Sequence, residues 1–254
     1  MERPAGAGET LDEIAGGQIK VLQKAKGYRF SLDALLLSQF VRLCPNEHIL
    51  EMGTGNGIIS LILAGRWGGV KITGIDIQEE LVEMAGRSVA LNGLCEKIGI
   101  RLADVRDIKN IFPSRSFDVV VSNPPYRKIN SGRINPDREK ALAKHEVMGA
   151  VGDFLQAGGY VLKPAGRAYF IYPATRMVEL LSSMRRVHVE PKRLRMVYSD
   201  DKTSGKFVLA EGIREGGEEL EVMPPLFIYN EKGEYTEEMT SIFRDISFPC
   251  SFAR

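Results

Sequence analysis

An apolar run that stops at two prolines constrains this chain more than any other feature. Phe117-Asp118-Val119-Val120-Val121 leads directly into Ser122-Asn123-Pro124-Pro125-Tyr126. Three consecutive valines suit a strand covered on both faces, as in a parallel sheet, and proline has no N–H to give to a sheet ladder. The chain must therefore leave the sheet at Pro124, which fixes Asn123 at the carboxyl end of the strand. Open α/β sheets bind their ligands at that end. The Asn123 side-chain oxygen and the Pro124 carbonyl then stand as two neighbouring acceptors, with the Tyr126 ring beside them. Such a set suits a planar group that carries an NH₂. The plainer reading of the same residues is a strand-to-turn exit with an incidental asparagine.

A second segment lies upstream, in His48-Ile49-Leu50-Glu51-Met52-Gly53-Thr54-Gly55-Asn56-Gly57-Ile58-Ile59-Ser60-Leu61. It reads as a short apolar strand, a glycine-rich turn and the start of an apolar helix. Glycine admits positive φ and lets a ligand approach the backbone. By itself the turn fits a nicotinamide, a flavin or S-adenosylmethionine. Its third glycine, Gly57, comes too early for the nicotinamide fingerprint, and Glu51 stands before the turn. Asp76 closes the strand Val70-Lys71-Ile72-Thr73-Gly74-Ile75 and follows Gly55 at the interval where an acidic residue meets a ribose. It also stands where a helix cap would, ahead of Gln78-Glu79-Glu80-Leu81, and the two roles are compatible. Asp104, after Ile100-Arg101-Leu102-Ala103, is a further strand-end carboxylate, suited either to a cofactor adenine amine or to a turn.

Together, residues 49 to 126 resemble the class I S-adenosylmethionine-dependent methyltransferases. The Asn-Pro-Pro-Tyr signature is similar to that of the group that methylates exocyclic amines of adenine or cytosine, or side-chain amides. Two outlying stretches, Gly27-Tyr28-Arg29-Phe30-Ser31-Leu32-Asp33-Ala34-Leu35-Leu36-Leu37 and Ala143-Lys144-His145-Glu146, resemble the bacterial tRNA1(Val) adenine N6-methyltransferases. That family modifies a valine tRNA at the adenine immediately 3′ of the anticodon. The resemblance implies a catalytic set of Asn123, Pro124, Pro125 and Tyr126. It implies S-adenosylmethionine held by Glu51, Gly53, Gly55, Gly57, Asp76, Ile77, Asp104 and Val105, with Ser31 and Asp33 closing over its methionine end. Ser31 and Asp33 equally suit a plain helix start. His145 and Glu146 read as a cap and a surface group rather than as catalysts.

The chemistry of such a site follows from the amine. The lone pair of adenine N6 is delocalised into the ring, so the nitrogen is a poor nucleophile. Two acceptors on its N–H bonds localise that pair and oppose the positive charge that grows during transfer; preorganised dipoles of this kind contribute a few kcal/mol each. Tyr126 stacked on the base adds about 1–3 kcal/mol. No strong base is needed before transfer, because the amine starts neutral. The base must leave any stack, which is cheap in a single-stranded loop. Two other functions fit the residues less well. A protein glutamine amide offers the same planar NH₂, but enzymes of that kind carry a helical substrate domain before the glycine turn, and only 48 residues stand ahead of Ile49. A non-enzymatic cofactor- or RNA-binding scaffold would not need Asn123, Pro124, Pro125 and Tyr126 intact.

At 254 residues and 44% hydrophobic, the chain can bury one large core. A net charge of +1 gives no global field for nucleic acid. A local one follows the active-site motif, where Arg127, Lys128, Arg133, Arg138, Lys140 and Lys144 face only Asp137 and Glu139 between 127 and 144. Arg127, Lys128 and Arg133 are the expected phosphate contacts of an RNA substrate. A second basic cluster, Arg185, Arg186, Lys192, Arg193 and Arg195 around His188, reads as a solvated surface. Cys44, Cys95 and Cys250 lie far apart with no CxxC, so neither a metal site nor a disulfide framework is expected. The amino terminus has no signal-peptide pattern and no run reaches the ~20 apolar residues of a membrane span. A soluble cytoplasmic protein is expected, and no feature sets an oligomeric state.

Along the chain, residues 1 to 26 read as a loosely ordered lead-in. A helix follows near 33 to 43, then strand 49 to 52 with helix 57 to 66, and strand 70 to 75 with helix 79 to 92. Next come strand 100 to 103, a poor helix near 107 to 112 and strand 117 to 121. After a polar substrate loop at 127 to 140, a helix from about 141 to 156 leads to Gly158-Gly159-Tyr160-Val161-Leu162-Lys163-Pro164-Ala165-Gly166, and Arg167 to Tyr172 forms a strand. Helix 174 to 186 and an antiparallel pair, 192 to 199 with 206 to 213, complete the chain. Alternating β and α elements predict an α/β fold, a doubly wound, mostly parallel, Rossmann-like seven-stranded sheet with a terminal antiparallel strand. Residues 1–30 are expected as a lead-in and 31–254 as a single domain.

Overall fold

The computed structural model describes residues 5–26, 31–125 and 151–245. Its centre is a sheet of seven strands: β3 (His48–Met52), β4 (Lys71–Asp76), β5 (Ile98–Leu102), β6 (Phe117–Ser122), β7 (Leu162–Pro173), β8 (Val189–Tyr198) and β9 (Gly205–Arg214). Their order is β8-β9-β7-β6-β3-β4-β5, with two-residue strands β10 (Glu221–Val222) and β11 (Leu226–Phe227) added outside β8. β7, β6, β3, β4 and β5 run parallel, and β9 runs antiparallel to both β7 and β8. The fold class expected from the sequence is the one observed.

Both faces of the sheet are covered, and the valine run shows why the strands lack polar alternation. Val119 and Val121 enter the core with α1 (Leu32–Phe40) and α2 (Ile58–Arg66), whereas Val120 faces the core on the other side. All three are fully buried. Burying each contributes about 1.5–3 kcal/mol. The first core also takes in α3 (Glu79–Leu91) through Val89 and the last helix, α7 (Glu237–Asp245), through Met239 and Ile242. The second is built from α4 (Ile108–Ile111), α5 (Val151–Val161) and α6 (Met177–Arg186).

Two stretches differ from the expectation. The lead-in is a hairpin, β1 (Glu9–Ile14) with β2 (Ile19–Lys24), and Ile19, Val21 and Leu22 are fully buried. Its outer edge is satisfied by α3: Ser88 Oγ accepts from Leu22 N–H at 3.0 Å, and Asn92 Oδ1 accepts from Lys20 N–H at 2.9 Å. Glycines on a turn-rich segment hid the alternation of Ile19, Val21 and Gln23. The second difference is one of bounds: α5 runs through Gly158 and Gly159 to Val161 rather than ending near 156. A side chain at 159 would come within 3.0 Å of Val187, so glycine there permits close packing of α5, which outweighs its poor helix propensity.

Candidate active site

The sheet register brings the strand ends level. Met52 pairs with Ser122 on one side and Ile75 on the other, and Asp76 pairs with Leu102. Asn123, Gly53 and Asp76 therefore leave three adjacent strands at one edge. Gly53, Gly55 and Gly57 have φ of 72°, 57° and 83°, in the left-handed region where a side chain is strained. The N–H groups of Gly53 and Thr54 both donate to the Ile75 carbonyl at 2.9 Å, so β4 anchors the turn.

Glu51 sits under this turn and is 1% exposed. Its Oε2 accepts from Thr54 Oγ1 at 2.9 Å, from Ser60 N–H at 3.0 Å and from the Ser60 hydroxyl. Its Oε1 is buried without a partner among the described residues. Burial pushes the carboxyl up to about 7, against the hydrogen bonds from Ser60 and Thr54, and the nearby Asp76 charge adds to the rise. A buried carboxyl with one empty acceptor suits a cationic or hydroxyl donor on a ligand. Thr54 and Ser60, which hold it, lie in the glycine segment but carry no sequence signal of their own.

Asp76 Oδ2 accepts from Gly55 N–H and Oδ1 from Gln78 N–H, both at 2.9 Å. Burial raises its carboxyl, opposed by the backbone donors of Gln78, Gly55 and Ile77 and by the Gln78 side chain. Asp76 is thus both a tie to the glycine turn and the cap-like acceptor ahead of α3. A carboxylate offers about four acceptor positions, and these donors engage them from the glycine turn and from the start of α3. Asp104 accepts from Arg106 N–H at 2.8 Å and pairs with the Arg106 guanidinium, which holds its carboxyl below the usual range. Its acceptors are engaged on that arginine. Beyond them, Ile77 is half-buried and Val105 is buried in the second core.

Asn123 and the α1 start are joined. Asn123 Nδ2 donates to Asp33 Oδ2 at 3.1 Å, and the Ser31 hydroxyl donates to Asp33 Oδ1. Asp33 is 2% exposed, and Asn123 Oδ1 is buried with no partner among the described residues. Pro124 is buried and Pro125 half-buried. Tyr126, Arg127, Lys128, Arg133, His145 and Glu146 lie outside the described residues. The glycine turn is also gripped from the hairpin: Asn56 Nδ2 donates to Gln23 Oε1 at 3.4 Å, and Gln23 Nε2 donates to Asp12 at 2.7 Å. Nothing local in the sequence links residue 23 to residue 56.

The second basic cluster divides: Arg185, Arg186 and His188 are exposed, as expected of a solvated surface, whereas Arg193 is built into the fold. Arg193 is buried, bonded to Glu211 at 2.6 Å and stacked over Phe40; Arg195 pairs with Glu238, and Arg185 with Glu190. Cys44 and Cys95 are exposed thiols, and Cys250 lies outside the described residues. Among the described residues no group of three metal-ligating side chains occurs, and no helix is long and apolar enough to cross a membrane.

The chain is similar to known proteins in sequence and in fold. Residues 49–144 match the family described as Methyltransferase domain. A tRNA1(Val) (adenine(37)-N6)-methyltransferase of Porphyromonas gingivalis is 32% identical over 58% of this chain, which spans 64% of that relative. One of the same name from Phocaeicola vulgatus is 30% identical over 71% of this chain and 81% of its own length. The fold matches that of a solved structure described as a predicted O-methyltransferase from Agrobacterium tumefaciens, with a TM-score of 0.68 at 17% identity, covering 86% of this chain and 98% of the other.

Proposed function

This chain belongs to the family of tRNA1(Val) (adenine(37)-N6)-methyltransferases, and on that premise we propose that it methylates the exocyclic N6 of an adenine in the anticodon loop of a tRNA. One observation carries the reading: a buried asparagine oxygen without a partner among the described residues, at the carboxyl edge of the sheet and level with the glycine turn. A buried acceptor left empty is costly unless a ligand donor fills it.

The residues fit S-adenosylmethionine. Among the described residues Glu51 Oε1 is an orphaned buried acceptor, and three glycines hold the turn above it in the left-handed region. Glu51 would meet a cationic part of that cofactor, Asp76 its ribose, and the turn its backbone-facing edge. When bound, the cofactor supplies an electrophilic methyl on a sulfonium.

The chain's own contribution is to the amine. Asn123 Oδ1 accepts one N–H and the Pro124 carbonyl the other, which draws the lone pair out of the ring and opposes the positive charge that develops on nitrogen. Removing a donor or acceptor of this kind costs about 10²–10³ in turnover. The extra proton leaves after transfer, so no strong base is required. Tyr126 stacks on the extruded base, and Arg127, Lys128 and Arg133 grip phosphates, which supplies the affinity that a net charge of +1 does not. A tRNA substrate places the protein in the cytoplasm.

The test is incubation of the purified protein with labelled S-adenosylmethionine and, separately, valine tRNA, total tRNA, ribosomal RNA and a release factor. The expected product is N6-methyladenosine in valine tRNA. Label confined to glutamine, or to ribosomal RNA, overturns the substrate, and no label in any arm overturns the activity.

A further inference from the structure

We infer that Asp33 is the positioning residue for Asn123, fixing which end of the asparagine amide meets the reacting amine. The inference rests on the function proposed above and adds a residue to its machinery. An asparagine side chain presents an acceptor at one end and a donor at the other, and the two ends have nearly the same shape. Packing alone cannot choose between them. Only Oδ1 facing the substrate promotes transfer; a rotated amide would point two N–H groups at an amine that itself needs acceptors.

Asp33 supplies the choice. A carboxylate only accepts, so its Oδ2, 3.1 Å from Asn123 Nδ2, tolerates the NH₂ end and repels the oxygen. Oδ1 is thereby turned away, and it is the atom found buried without a partner. Asp33 is itself held. It is 2% exposed, its other oxygen takes the Ser31 hydroxyl, and it stands in the first turn of the nine-residue helix α1, where the helix dipole favours negative charge. Hydrogen bonding at Nδ2 also polarises the amide and strengthens Oδ1 as an acceptor. The partners stand 90 positions apart, so no local sequence pattern pairs them.

The test uses Asp33→Ala and Asp33→Asn with Asn123→Ala and the double variant Asp33→Ala/Asn123→Ala. Asp33→Ala is expected to lower kcat by about 10- to 100-fold, within the range of a lost transition-state contact, while the Kd for S-adenosylhomocysteine stays within threefold. Asp33→Asn can still accept from Nδ2 through its carbonyl, so it recovers part of the loss. The double variant should turn over no more slowly than Asn123→Ala. Multiplicative losses in the double variant, or a collapse of S-adenosylhomocysteine affinity with unchanged kcat at saturating cofactor, would make Asp33 a cofactor ligand and overturn the inference.

A second readout separates this failure from that of the function. In ¹⁵N spectra of the S-adenosylhomocysteine complex, the Asn123 side-chain NH₂ should be protected from solvent exchange in the parent and in Asp33→Asn, and unprotected in Asp33→Ala. That result stands even if no RNA is labelled. Protection that survives Asp33→Ala in a variant that still binds S-adenosylhomocysteine refutes the contact.

Discussion

Glu51→Gln should change the pH dependence of stability in the ligand-free protein by a calculable amount. Burial lifts the Glu51 carboxyl from 4.5 to about 7. A carboxyl whose folded value lies above its unfolded value contributes stability that is fully present below about pH 4.5. That stability is lost as pH rises through about 7, because the folded protein must then hold an ionised group it solvates poorly. A gap of about 2.5 pH units is worth up to ~3.4 kcal/mol. Between pH 5 and pH 8.5, linkage gives a loss of ~2.5 kcal/mol for this group. Glutamine stays neutral and loses none of it. Its amide leaves a donor where Oε1 has no partner, but that penalty is the same at every pH. The quantity to measure is therefore the gap in Tm between variant and parent, by calorimetry at both pH values without ligand. The gap should move in favour of the variant by ~5–10 °C on going from pH 5 to pH 8.5, at the 2–4 °C per kcal/mol typical of this chain length. A gap that is the same at the two pH values means Glu51 is ordinary in its titration, and the account of its buried, half-satisfied carboxyl is wrong.

Three further outcomes are expected. Asn123→Ala should lower kcat by about 10²-fold or more and leave cofactor affinity nearly intact; wild-type turnover would reduce Asn123 to a turn residue. Asp76→Ala should weaken S-adenosylmethionine and S-adenosylhomocysteine alike, by about 1.5–3 kcal/mol, since both present the same ribose; calorimetry showing equal affinity in variant and parent removes that role. Replacing Arg127, Lys128 and Arg133 together by alanine should raise KM for tRNA and flatten its salt dependence by up to about one unit of slope per lost phosphate contact. An unchanged KM across salt concentrations would place the RNA elsewhere on the protein.

What the sequence disclosed and what it hid divide along the range of the interactions. The strand ends were legible because each is written in consecutive residues: Val119-Val120-Val121 demands cover on both faces, Pro124 ends the ladder, and glycines at 53, 55 and 57 require a left-handed turn. Parallel pairing then aligns those ends almost automatically, so a local pattern yields a three-dimensional site. The roles within the site were less legible, because they depend on which acceptor is already taken. Asp104 carries the same strand-end signature as Asp76, yet an arginine two residues on pairs with it, while Asp76 meets backbone N–H groups and a glutamine among the described residues. The hairpin escaped because its partners are remote: Gln23 meets Asn56, and Lys20 meets Asn92 across 72 residues. Asp33 escaped for the same reason. Its nearest sequence neighbours suggest a helix start, and it is one, but the same carboxylate also reaches Asn123 and sets the direction of an amide that composition and spacing leave free to point either way. Local pattern thus places the acceptor at the site, and a long-range contact decides which atom it presents.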